Sequence, residues 1–93
     1  MSIVIVGGND GMHFQYKSVC KAHNCKVKVF TQMPGNFKNQ IGNPDLLILF
    51  TNTVSHKMAS CAIQEASKND VAIERCHSSS SSALKKILEQ YCG

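Results

Sequence analysis

The stretch Asp45–Lys57, DLLILFTNTVSHK, decides the fold of this chain of 93 residues. Its first part, Leu46–Phe50, is apolar at every position, which is typical of a strand covered on both faces in a parallel sheet. From Thr51 the sequence changes to small polar residues of the kind that cap helices, and a helical pattern follows from His56. This order predicts a central strand, a polar turn and a helix, which is half of a βαβ unit.

Three further strands are predicted from β-branched and apolar runs. Ser2–Val6 is typical of a buried first strand, and it ends at a tight Gly7-Gly8 turn. Lys26–Thr31 begins with lysine and valine in alternation, which predicts a half-exposed strand at a sheet edge. Val71–Arg75 is shorter and more polar, and we expect it to form the fourth strand.

The segments between the strands predict helices of unequal length. One helix spans about Ser55 to Lys68, and residues 32–44 favour a loop with one or two helical turns. The serine run 78–82 precedes a strong apolar helical stripe, so we interpret it as a turn and helix N-cap rather than a linker. The first helix begins near Met12 or His13, and its expected core positions are Tyr16, Val19, Cys20 and His23.

This order of elements predicts an α/β fold. We expect residues 1–93 to form a single small three-layer domain, with a four-stranded parallel sheet between two layers of helices. Right-handed crossovers and the edge character of the second strand give the spatial strand order 2-1-3-4. The first and third strands then flank the point where the strand order reverses, and in open α/β sheets a ligand crevice opens there.

The composition narrows the classes of function. The formal net charge of +4 comes from scattered lysines without interleaved aromatic residues, so we expect no nucleic-acid partner. No apolar run is long enough for a membrane helix, and no signal peptide is evident, so we expect a cytoplasmic protein with no membrane partner. The five cysteines lack the spacing of a zinc site or a disulfide framework.

Polar residues collect after the strands, at the carboxyl edge of the predicted sheet. Helix N-termini there direct backbone N–H groups toward the crevice, and one lysine adds positive charge. We therefore expect a non-enzymatic ligand-binding or sensory module for a phosphorylated or carboxylated small molecule. The expected ligand-binding residues are Gly7, Gly8, Asn9, Asp10, Thr51, Asn52, Thr53, Ser55, Lys57, Ser78, Ser79 and Ser80.

Two alternatives stay open at this edge. His13, His56 and His77 follow three different strands, and imidazole side chains from them would bind a transition metal or a haem iron. In the other alternative the serines only cap helices, and the domain has a structural or protein-interaction role. An enzyme is disfavoured, because the chain has no G-x-S-x-G elbow and Asp10 is the only acidic residue expected at this edge.

The chain resembles a bacterial family known as domain of unknown function 2325. The segments that carry the resemblance are SIVIVGG, KVKVFTQMP, GNPDLLILFTNTVSHKM and HSSSSSAL, which together cover nearly the whole chain. The resemblance implies a Rossmann-like α/β domain, and it implies no activity or site residue, because the family has no assigned function. Because a small open sheet has two edges, we also expect a homodimer.

Overall fold

The computed structural model describes residues 1–92, so Gly93, the last residue of the predicted domain, lies outside the described residues. Strands and helices alternate along the chain, and a 3-10 turn at Asp10–Met12 precedes the first helix. The strands are β1 Ser2–Val6, β2 Lys26–Phe30, β3 Leu46–Phe50 and β4 Ala72–Cys76. The helices are α1 His13–Ala22, α2 Phe37–Ile41, α3 His56–Lys68 and α4 Ser81–Cys92.

The four strands form one parallel sheet in the order β2-β1-β3-β4, which confirms the predicted order. The register pairs Ile5 with Val29 on one side and with Ile48 on the other. On the far side of β3, Ile48 pairs with Glu74. All five residues of β3 are buried, as expected for a strand with a neighbour on each side and a helix layer on each face.

The sheet separates two apolar cores. On one face, α1 and α4 pack on Ile5 and Ile48, with Tyr16 and Leu84 among their buried residues. On the other face, α2 and α3 pack on the alternate strand residues. That second core comprises Val4, Val6, Leu47, Leu49, Phe37, Ile41, Met58, Ala62, Ala66 and Val71. The alternation of side chains along each strand therefore assigns successive residues to different helix layers.

A few boundaries differ from the prediction. β4 begins one residue later than expected, because Val71 is the buried residue that leads out of α3 rather than a strand residue. His23 is only partly buried, and its Nδ1 lies 3.0 Å from the carbonyl oxygen of Val19. The His23 imidazole thus contacts a backbone carbonyl at the end of α1 instead of packing into the core. Asn24 adopts a φ of 58°, which is the left-handed conformation that commonly ends a helix.

Candidate functional site

The turn after β1 is formed by two glycines with left-handed backbone conformations. Gly7 and Gly8 have φ values of 93° and 94°. A Cβ atom on Gly8 would lie 2.8 Å from Cε2 of Tyr16, and one on Gly7 would lie 3.0 Å from the carbonyl oxygen of Phe50. Both the backbone conformation and the close packing therefore require glycine at these positions.

The backbone N–H groups of this turn are bonded within the protein. The N–H of Gly8 donates to Oγ1 of Thr53 at 2.7 Å, and the N–H of Asn9 donates to the Tyr16 hydroxyl at 3.2 Å. The N–H of Gly11 donates to Oδ1 of Asn9 at 3.2 Å. The bond from Gly8 to Thr53 ties the loop after β1 to the loop after β3. The crevice predicted between the first and third strands is thus closed by the chain's own side chains.

Tyr16 is the residue that fills this region, and sequence reasoning missed its polar role. Its side chain is fully buried, and its ring centroid lies 5.3 Å from that of Phe50. Its hydroxyl accepts from Asn9 and donates to the carbonyl oxygen of Ser79 at 2.5 Å. Tyr16 therefore connects the loop after β1 with the loop after β4. The helical apolar pattern places the ring in the core, but it carries no signal for the partners of the hydroxyl.

Asp10 lies at the outer side of the same edge, near the end of β2. Its Oδ2 accepts a hydrogen bond from Nε2 of Gln32 at 3.0 Å. Hydrogen bonds from Thr31 and then Gln32 hold the pKa of the Asp10 carboxyl below its usual value. Desolvation opposes this shift in the pKa, and the charge of His13 acts in the same direction as the bonds. Asp10 is therefore an ionised carboxylate at neutral pH. An acidic group in this position disfavours an anion beside the first turn.

The loops after β3 and β4 present a more open surface. The N–H of Thr51 donates to the carbonyl oxygen of Cys76 at 2.9 Å, and the Thr51 hydroxyl donates to the same oxygen at 3.4 Å. This pair of bonds holds the two loops next to each other. The predicted ligand-binding residues that are exposed on these loops and on the helix starts are Thr51, Asn52, Thr53, Ser55, Lys57, Ser78 and Ser80.

Two helices of ten or more residues begin at these loops, and serine hydroxyls cap both. Oγ of Ser55 accepts from the N–H of Met58 at 3.2 Å at the start of α3. Oγ of Ser80 accepts from the N–H of Ala83 at 3.1 Å at the start of α4. Ser78 and Ser80 also join their hydroxyls at 3.2 Å. The serine run is thus a turn and cap, as predicted, and two of its hydroxyls are already engaged with each other.

The three histidines predicted as metal ligands do not form a three-ligand site. Among residues 1–92, no group of three or more His, Cys, Asp and Glu side chains could hold a metal ion. The fold explains the separation, because His13 begins a helix on one face of the sheet and His56 begins a helix on the opposite face. His77 is exposed and follows β4, which is an edge strand. The shared carboxyl edge brings the loops to one end of the sheet without placing the three imidazoles in one metal site.

The described part of the chain has no pocket. A ligand at the carboxyl edge would therefore contact an open surface rather than enter a cavity. In the same described range, every buried side-chain nitrogen or oxygen atom has a hydrogen-bond partner. None of the described helices has the length and apolar character that a membrane span requires.

A parallel sheet in this order with helices on both faces defines a Rossmann-like α/β domain. A de novo designed Rossmann-fold protein is similar in structure, with a TM-score of 0.65 over 98% of this chain and 95% of the design. Its sequence is 12% identical, so this similarity shows the fold alone. The chain belongs to the family described as uncharacterized protein conserved in bacteria, DUF2325, whose profile matches residues 2–91. A search among curated proteins found no match.

Proposed function

We propose that this domain is a non-enzymatic module that binds an anionic small molecule, phosphorylated or carboxylated, at the carboxyl edge of its sheet. The binding surface in this proposal comprises the loops after β3 and β4 and the first turns of α3 and α4. The observation that carries the proposal is the hydrogen bond of 2.9 Å from the Thr51 N–H to the Cys76 carbonyl oxygen, because it holds two exposed polar loops side by side. The first turn, with its N–H groups bonded internally, contributes to the shape of this edge rather than to ligand contacts.

The chemistry of these loops supports an anion. Asn52 offers an exposed amide donor, and Lys57 offers an exposed ammonium group one residue into α3. The hydroxyls of Thr51 and Ser78 are also exposed, but they donate to Cys76 and Ser80. Helix N-termini carry a partial positive charge, which favours anions at their first turns. A surface site of this kind has weak affinity, because solvent screens its charges and no cavity removes the ligand from water.

The test is a thermal-shift screen of phosphorylated and carboxylated metabolites on three proteins. We expect a ligand that raises the melting temperature of the wild type and of Lys68→Ala, but has little effect on Lys57→Ala. Lys57 and Lys68 are exposed lysines at opposite ends of α3, so both variants lose the same charge from the same helix. A ligand that stabilises all three proteins equally would contradict a site at the start of α3.

A metal or haem site has less support, because the three histidines do not form a metal-binding group within residues 1–92. Haem ligation by one histidine is a separate form of this alternative. It predicts an absorbance band on addition of haemin that is lost in one of His13→Ala, His56→Ala or His77→Ala. A spectrum of haemin that is unchanged by the protein would remove this alternative.

We also propose a cytoplasmic homodimer. The free thiols of Cys61 and Cys76 support a reducing compartment. Both sheet edges carry exposed charged side chains, Lys26 and Lys28 on β2 and Arg75 on β4, and such charges protect an edge from pairing. The contact between subunits in this proposal is therefore not assigned to either edge. Sedimentation velocity tests the proposal, and a monomer at all accessible concentrations would contradict it.

A further inference from the structure

The outer surface of the layer formed by α1 and α4 carries an exposed aromatic side chain among lysines. Phe14 is 81% exposed, the most exposed of the large hydrophobic residues in the described chain. It lies on α1 opposite the buried Tyr16 and Cys20. Lys17, three positions further, and Lys21, seven positions further, are exposed on the same side of the helix. An apolar ring and two ammonium groups therefore share one helix stripe.

The neighbouring helix repeats this arrangement of charge. α4 packs beside α1 on the same face of the sheet, and both helices begin at the carboxyl edge. Lys85 and Lys86 are both exposed on α4, and Lys86 lies opposite the buried Leu84 and Leu88. Glu89 is the acidic residue on that exposed stripe of α4, so the outer surface of the two helices has four lysines against one glutamate. We call this surface, defined by Phe14, Lys17, Lys21, Lys85 and Lys86, the basic helix face.

We propose that the basic helix face binds the surface of an anionic lipid bilayer, with Phe14 inserted among the headgroups. Charge complementarity selects the partner, since each lysine near an anionic bilayer contributes to attraction and an aromatic side chain adds burial at the interface. A second copy of the chain is disfavoured on this face, because a symmetric contact would oppose like charges. The proposal is a peripheral contact without a spanning helix, and it departs from the expectation of no membrane partner. It is independent of the anion site on the loops after β3 and β4.

A nucleic acid fits this face less well than a bilayer. Proteins that bind single strands combine a basic groove with several aromatic residues on which successive bases stack. The basic helix face has one exposed aromatic residue, Phe14, and the described chain has no pocket beside it. Two parallel helices side by side form a broad surface, which suits a planar partner.

The test is co-sedimentation with vesicles of phosphatidylcholine, with and without phosphatidylglycerol, at low salt. We expect binding only to the anionic vesicles, and we expect added salt to abolish it. Lys17→Ala/Lys21→Ala should weaken binding by about 25-fold, since each lysine near the surface contributes about fivefold. Phe14→Ala should weaken it by about tenfold, because the ring no longer leaves water.

The matched control is Lys38→Ala/Lys68→Ala, which removes the same charge from the opposite helix layer. We expect this variant to bind anionic vesicles as the wild type does. Failure of the wild type to bind anionic vesicles would overturn the proposal, as would equal losses in the two double variants or full binding by Phe14→Ala. Binding of a short RNA that is as tight as vesicle binding, and equally sensitive to Phe14→Ala, would also overturn it in favour of a nucleic-acid partner.

Discussion

Tyr16 contacts both the apolar core and the loops at the carboxyl edge of the sheet. Its ring packs on Phe50 within the core, while its hydroxyl bonds to Asn9 and Ser79 on two different loops. Tyr16→Phe should lower the free energy of unfolding by about 1–2 kcal/mol, because it leaves a backbone donor and a backbone acceptor without their partner. Urea denaturation measures this change.

The matched control for Tyr16 is Tyr91→Phe. The Tyr91 hydroxyl donates to Oε2 of Glu74 on β4 at 3.2 Å, in a solvent-exposed hydrogen bond. Removal of that hydroxyl should change stability by less than about 0.5 kcal/mol, as is usual for a surface substitution. If the two variants are equally stable, the Tyr16 hydroxyl does not hold the loops together.

Gly8 has the tightest surroundings among the glycines of the described chain. Gly8→Ala should lower stability by about 2 kcal/mol or more, because alanine is strained at a φ of 94° and its Cβ meets the Tyr16 ring at 2.8 Å. Gly35 has open space around its Cα and serves as the control. Gly35→Ala should be neutral or slightly stabilising. Thermal unfolding of both variants measures the difference, and a neutral Gly8→Ala would contradict the close packing of the first turn.

The pH titration of the Asp10 carboxyl should give a pKa below the usual value of a carboxyl group. Its pKa is lowered by hydrogen bonds from Thr31 and Gln32, so folding favours the ionised form. The resulting stability is present above the usual carboxyl pKa of about 4 and is lost as the pH falls through the lower pKa of the folded state. Thr31→Val should raise the pKa of Asp10 toward its usual value in an NMR titration. An unchanged pKa would show that the Thr31 hydroxyl is not a partner.

At the scale of the element, the serine run ends in a helix cap whose strength can be measured. Ser80→Ala should lower the free energy of unfolding by about 1 kcal/mol, because the N–H of Ala83 loses its acceptor. Ser82→Ala is the control, since Ser82 is exposed inside the first turn of α4, where alanine is the better helix former. Equal stability of the two variants in urea would show that the cap at Ser80 has no role.

The elements were predictable from local pattern, and the closure of the crevice was not. The unbroken apolar run of Leu46–Phe50 indicates a central strand, and the alternation in β2 indicates an edge strand. The strand order therefore follows from short stretches of sequence. The bond between Gly8 and Thr53 joins residues 45 positions apart. Sequence periodicity carries no information on such a pairing, nor on the separation of His13 and His56 by the sheet.

At the scale of the whole molecule, the two loops after β3 and β4 and the basic helix face are different surfaces, for which we propose different partners. The loops lie at the end of the sheet, whereas the basic helix face lies along one of its sides. Variants of one surface should therefore leave the partner of the other unaffected. The anion-binding proposal and the bilayer-binding proposal can therefore be tested independently, and one can be wrong while the other is right.

The central claim is that the carboxyl edge binds anions through the loops after β3 and β4. The most direct measurement is a titration of the wild type with inorganic phosphate, followed by the backbone amide signals in two-dimensional NMR. We predict saturable shifts for residues 51–57 and 77–82, and much smaller shifts in Lys57→Ala. An absence of saturable shifts, or shifts confined to residues 7–11, would contradict the claim.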